Sequence, residues 1–110
     1  MDIFQVLAEP RRRAIVKIVA QEGQLTATAI SQKFNVSKPA ISQHLQVLRQ
    51  ARILHMEKWG REHIYQVEPK AFAEIETWIH SLKKLWHGRL DRLGVLLEVE
   101  SRKIKGKAKR

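Results

Sequence analysis

Between Phe72 and Leu97, eight apolar residues (Phe72, Ile75, Ile79, Leu82, Trp86, Leu90, Leu93 and Leu97) follow one another at spacings of 3, 4, 3, 4, 4, 3 and 4. This is nearly a heptad seam with one four-residue stutter, and it predicts a helix over 70–100 opened by Pro69. About thirty residues of helix measure ~45 Å. That is longer than a chain of 110 residues can cover with its own core. Trp78, Leu85, Leu96 and Val99 widen the stripe further. A second copy of the chain is the economical cover, because a twofold pair buries the same face twice. A short, mostly apolar first helix over 2–8, capped by Asp2, also calls for a partner. Ile3 and Phe4 are therefore assigned to the dimer interface with Ile79, Leu82, Trp86, Leu90, Leu93 and Leu97. Gly88 and Gly94 weaken the long helix and mark where it can bend.

The segments before the seam are short. Pro10 suits the first turn of a second helix over 10–22, where its missing N–H costs nothing. Ala14, Ile15, Ile18 and Val19 form the buried stripe of that helix, and Gly23 ends it. Thr26 caps a third helix running to Phe34, with Ala27, Ile30 and Phe34 on one side. After a tight Asn35-Val36 connection, Ser37 caps a fourth helix over 37–50, and Pro39 is tolerated in its first turn. Ile41, Leu45 and Leu48 point inward there, while Lys38, Ser42, Gln43, Gln46 and Arg49 lie on or near the outer face. Two short helices joined this way make a helix-turn-helix. After Arg52 the period changes from 3.6 to 2, giving strands over 53–58 and 63–67 joined by Trp59-Gly60-Arg61-Glu62. The expected fold is thus mainly α with a small β-hairpin, a winged helix-turn-helix.

Charge points to the partner. Twenty-one Lys and Arg against eleven Asp and Glu leave +10, and such an excess attracts polyanions. Six of the cations (Arg102, Lys103, Lys105, Lys107, Lys109 and Arg110) sit in the last nine residues, which we read as a basic tail over 102–110 following a domain over 1–101. The body still carries +4. No run of 18 apolar residues is present to span a bilayer, and the N-terminus lacks the basic start and apolar run of a signal peptide, so a cytoplasmic location without membrane partner is expected. With no cysteine there is neither a disulfide nor a thiolate ligand or nucleophile. No glycine-rich phosphate loop and no nucleophile–base–orienter set is visible, and the chain reads as a non-enzyme.

The run Ser37-Lys38-Pro39-Ala40-Ile41-Ser42-Gln43-His44-Leu45-Gln46-Val47-Leu48-Arg49 resembles the recognition helix of the ArsR/SmtB family of prokaryotic winged-helix regulators. Leu7 to Arg13 resembles the opening of that family's second helix, Leu25 to Phe34 its third helix, and Gly60 to Val67 its wing and second strand. The resemblance covers residues 2–100 nearly continuously. It implies a homodimer joined through the first and last helices, which binds an imperfect palindrome in duplex DNA and represses its own operon. The family's founding metal sensors carry a cysteine motif on the third helix, absent here. A second family metal site uses an Asp-x-His pair on the last helix, which here offers Glu76, His80, His87 and Asp91 without that spacing. The chain resembles the branch without the known metal sites; no metal and no cofactor is expected, and the effector is left open.

Several side chains then acquire expected roles. Ser37 caps its helix and offers a helix N-terminus to a phosphate. Lys38 and Pro39 approach the backbone, and Ser42, Gln43, Gln46 and Arg49 follow along the groove, with Gln43 suited to bidentate reading of adenine. Arg61 at the wing tip flanks the minor groove. Arg11, Arg12 and Arg13 oppose the dipole of their own helix, so at least one meets phosphate; Arg12 and Arg13 are assigned, and the sequence does not say which one does. Trp59, Trp78 and Trp86 read as packing anchors. The competing readings are a protein-interaction module with a winged fold that no longer reads DNA, and nonspecific nucleic-acid binding through the tail.

Overall fold

The computed structural model describes residues 1–93; Leu97, the expected helix beyond Leu93 and the basic tail lie outside the described residues. Asp2 opens helix α1 (Ile3–Leu7) with a capping box. Its Oδ1 accepts from Gln5 N–H at 2.8 Å, and its own N–H donates to Gln5 Oε1 at 2.9 Å. Helix α2 runs Pro10–Glu22 and stops at Gly23, whose φ of +84° takes the chain where a side chain would be strained. Thr26 caps helix α3 (Ala27–Gln32) through a 3.1 Å bond from Ala29 N–H. Ser37 caps helix α4 (Lys38–Gln50), accepting from Ala40 N–H at 3.3 Å.

Among the described residues, twelve buried side chains hold these pieces together. Ile15, Val16 and Val19 of α2 and Ile41, Leu45 and Leu48 of α4 form the centre, joined by Ile3, Val6, Ile30, Ile53, Leu54 and Tyr65. Of the inner-face residues read from period 3.6, Ile15, Val19, Ile30, Ile41, Leu45 and Leu48 are buried, while Ala14, Ile18, Ala27 and Phe34 stay half-buried. Ile3 was assigned to a dimer interface, yet it is only 7% exposed and packs inside the chain; Phe4 beside it reaches the surface.

The sheet differs from expectation in one element. Leu25–Thr26 forms a short strand β1 antiparallel to β3 (Glu62–Val67), which also pairs β2 (Leu54–Trp59), so the order is β1-β3-β2. Two residues are too few to show alternation, and Thr26 at the same time caps α3, which hides the strand from a periodicity reading. Helix α3 also ends two residues before Phe34, leaving Lys33 to Ser37 as the connection. Strand β2 is shifted one residue from the expected bounds, and β3 starts one residue early and ends at Val67 as expected. Trp59 pairs Glu62, so the turn has only Gly60 and Arg61. Gly60 has φ of +63° while Arg61 is not left-handed, the pattern of a type II′ turn with glycine first.

A 3₁₀ turn over Pro69–Phe72 precedes helix α5 (Ala73–Leu93), which therefore starts three residues later than expected. The backbone divides at Ile75 into two units. The first holds the helix-turn-helix and its β-hairpin wing, with Ala71, Phe72 and Ile75 packed against the core. The second begins at Glu76 and is the exposed run of α5: Trp78 is 53% exposed, Leu82 51%, Leu85 71% and Trp86 62%.

Candidate nucleic-acid interface

Helix α4 has two unlike sides. Ile41, Leu45 and Leu48 are buried, whereas Lys38, Pro39, Ser42, Gln43, Gln46 and Arg49 are all exposed. No acidic residue occurs anywhere on the helix, so its outer face carries amides, hydroxyls and cations only. Ser37 is exposed at the N-terminus; Pro39 has no N–H and those of Ala40 and Ile41 donate to Ser37, which leaves the Lys38 N–H of the first turn for an anion. Lys38 to Gln46 occupy the first turns together. Arg49 stands apart in the last turn, roughly 16 Å along the axis from Lys38.

The structure separates the three arginines that the sequence left equivalent. Arg11 lies over the Phe34 ring at 5.4 Å from its centroid, a cation–π contact. Arg13 Nη1 donates to the carbonyls of Leu7 and Ala8 at 2.6 and 3.0 Å, closing the C-terminal end of α1, where a cation is also favoured by the dipole. Arg12 is left: its Nε is shielded from water and has no hydrogen-bond partner among the described residues. A shielded guanidinium nitrogen without an acceptor is costly and calls for one.

Their placement depends on Glu9, to which the sequence analysis assigns no role. Glu9 is the N-cap of α2, its Oε2 accepting from Arg11 N–H at 3.0 Å and Arg12 N–H at 3.3 Å. The same oxygen lies 3.8 Å from His44 Nε2 on α4. Desolvation pushes the Glu9 carboxyl up, but the two N–H bonds and the charges of His44 and Arg12 outweigh it and hold the group below its ordinary value. An acidic residue immediately before a helix-opening proline was the available signal.

On the wing, Arg61 is exposed beside Gly60 at the turn. Trp59 is not the packing anchor expected of it: it is 60% exposed, with Nε1 donating to Glu57 Oε2 at 3.0 Å. It occupies the last position of a strand whose outer half is exposed, so no neighbour is there to cover it.

A helix-turn-helix with this wing has known relatives. The family described as bacterial regulatory protein, arsR family, matches residues 9–55, the span from the Glu9 cap through α4 into β2. Rv2034, an HTH-type transcriptional regulator of Mycobacterium tuberculosis, is 35% identical over 97 residues, 88% of this chain and 87% of that protein. The chain belongs to the ArsR family. A second relative, the transcriptional repressor SdpR of Bacillus subtilis, is 31% identical over 78 residues, covering 71% of this chain and 86% of the repressor. The crystal structure of the ArsR family transcriptional regulator RHA00566 superposes with a TM-score of 0.73 at 28% identity, over 80% of this chain and 90% of that one. ArsR proteins are DNA-binding transcription regulators rather than enzymes, and α3 and α4 with the β2–β3 hairpin form this one's winged helix-turn-helix. Among the described residues no helix is long and apolar enough to cross a membrane, and no group of three metal-ligating side chains is found.

Proposed function

We propose that this ArsR protein is a cytoplasmic, homodimeric repressor that recognises a palindromic operator, with its own operon as target. The observation that carries the reading is the outer face of α4, where Lys38, Ser42, Gln43 and Gln46 are exposed together on a helix without a carboxylate. Ser42 and Gln43 lie one turn in from the helix N-terminus, the part that meets base edges when such a helix enters the major groove. Gln43 is the base reader, Ser42 and Gln46 support it, and Ser37, Lys38 and Pro39 hold the backbone. Arg12, with its unsatisfied Nε, takes a phosphate, while Arg13 secures α1. Arg61 flanks the minor groove, and the six cations of residues 102–110 form a tail that adds sequence-independent attraction.

Repression is the role of SdpR. Dimerisation is supported by the apolar stretch of α5, whose Ile79, Leu82 and Trp86 are all more than 40% exposed; Leu90, Leu93 and Leu97 continue that register in sequence. A twofold dimer presents both α4 helices to one side of the duplex, with half-sites about 34 Å, or a multiple of it, apart. DNase footprinting upstream of the protein's own gene tests this. A protected near-palindrome, bound in preference to random duplex and lost in Gln43→Ala, is expected. Equal affinity for random duplex returns the tail-driven reading, and absence of DNA binding returns the protein-interaction module.

A further inference from the structure

A cavity of about 580 Å³ opens between the end of α4 and the edge strand β2, bounded on its third side by Glu68 and the 3₁₀ turn that follows it. Its size falls within the range of small-molecule sites. Leu54, Met56 and Ala71 supply the apolar part of the lining, and Arg49, Arg52 and Lys70 supply three cations. No ion pair joins these cations to a carboxylate among the described residues. The single acidic side chain in the wall, Glu68, faces His55 Nδ1 at 3.8 Å.

A second observation is independent of the cavity. Helix α4 ends in a Schellman motif, with Ile53 N–H bonded to Leu48 O and Arg52 N–H to Arg49 O, both at 3.0 Å. The position that turns left-handed in this motif is Arg52, with φ of +60°, alone among the described non-glycine residues. Glycine is the usual occupant there because a Cβ is strained. Arg52 is exposed and makes no ion pair that would repay the strain. A cation at a helix C-terminus is favourable in itself, which accounts for Arg49 in the last turn. It accounts neither for the strained backbone of Arg52 nor for Lys70, which lies on a different element. The two Schellman bonds account for a left-handed residue at this position but not for an arginine in place of glycine, and that choice points to a function of the side chain.

We propose that this cavity binds a small organic carboxylate with an apolar body. The carboxylate sits on the guanidinium groups of Arg52 and Arg49 with Lys70 beside them, where a planar fork matches its two oxygens. The body lies on Leu54, Met56 and Ala71, a surface that a bare inorganic anion would leave unused. Arg49 belongs both to this cavity and to the exposed side of α4. A bound anion therefore neutralises positive charge on the DNA-reading element and lowers operator affinity. That regulatory half rests on the repressor reading of the previous subsection; the binding half does not.

The test uses full-length protein, labelled with ¹⁵N and titrated at constant ionic strength with benzoate, with its neutral analogue benzamide, and with inorganic phosphate. Benzoate is expected to shift the amides of Arg52, Leu54, Met56 and Ala71 saturably, with benzamide and phosphate binding more weakly. Arg52→Gly is the informative variant, because it relieves the left-handed strain while removing the anion's partner. It should melt at a higher temperature than the parent and bind benzoate roughly tenfold less tightly, the loss of one charge-assisted pair. Glu68→Gln, which removes the only carboxylate of the wall, should tighten benzoate. Unchanged benzoate affinity in Arg52→Gly, or equal binding of benzamide or phosphate, overturns the proposal. So does a fall in the operator affinity of Arg52→Gly with no benzoate present, which would make Arg52 a DNA contact. Saturable benzoate binding that leaves operator affinity intact refutes the regulatory half alone. Loss of operator binding by the parent protein refutes the repressor reading and leaves the titration untouched.

Discussion

Trp86 offers the sharpest test of the proposed dimer. It keeps 62% of its surface exposed, and a tryptophan can bury up to roughly 250 Å². About 150 Å² per chain is then available to a partner, which at ~25 cal/mol per Å² is at most about 4 kcal/mol for full cover. Twofold symmetry counts the residue twice, but alanine keeps part of the area and association does not return the whole transfer energy. A realistic loss for Trp86→Ala is about 2–4 kcal/mol per dimer, a rise of roughly 30- to 1,000-fold in the dissociation constant. Sedimentation velocity over a concentration series reads this directly, with circular dichroism confirming that the helices persist. Operator affinity should fall in parallel, because each monomer then finds only one half-site. If the parent protein sediments as a monomer at micromolar concentration, or if Trp86→Ala leaves the dimer unchanged, the α5 face is not the interface and the reasoning from exposed area fails.

Other substitutions separate the parts of the site. Gln43→Ala should cost about 1–3 kcal/mol on the operator and leave random duplex nearly unaffected, as read by fluorescence anisotropy on both DNAs. Removing residues 102–110 should do the reverse, weakening both DNAs by similar factors and flattening the salt dependence. Ser37→Ala removes the α4 cap and should lower stability by about 1 kcal/mol in thermal melts. Glu9 supplies a pH prediction. Its carboxyl is depressed below the ordinary 4.5, so the stability it contributes is present above that pH and lost as pH falls through the lower folded-state value. In melts taken below pH 4.5, Glu9→Gln should lose less stability on acidification than the parent, and parallel acid limbs would show that the Glu9 cap does not carry this dependence.

The helices that period 3.6 and capping chemistry describe were legible in the sequence. Pro10–Glu22 falls on the expected bounds, and α4 follows the expected Ser37 cap. In both, local propensity and the buried stripe point the same way. What escaped was decided by contacts distant in sequence or by single-residue backbone geometry. Strand β1 exists because Leu25 and Thr26 find Tyr65 and Ile64 some forty residues on. Ile3 looked like an interface residue because a five-residue helix has too few positions to show which side is covered. The three arginines were indistinguishable until the Phe34 ring, the end of α1 and the Glu9 cap were placed around them. Arg52 gave no signal at all, since a left-handed arginine after a helix is read as one more surface cation.

On the two proposals above, the two ends of α4 let one rigid element both read DNA and respond to a ligand. Thirteen residues make it about 20 Å long. Its N-terminal half presents Lys38, Ser42 and Gln43, and its C-terminal end presents Arg49 and the strained Arg52. Between them Ile41, Leu45 and Leu48, none more than 3% exposed, fix the helix to one close-packed core. Such a core resists continuous deformation, so the helix moves as a unit or not at all. A ligand that draws Arg49 and Arg52 toward β2 and Lys70 would then act on the proposed reading end in two ways: it removes positive charge from the element proposed to face phosphate, and it ties the tilt of α4 to the sheet edge. The first effect is screened by salt and the second is not. The proportion of coupling that survives at high ionic strength thus measures how far the helix itself is moved.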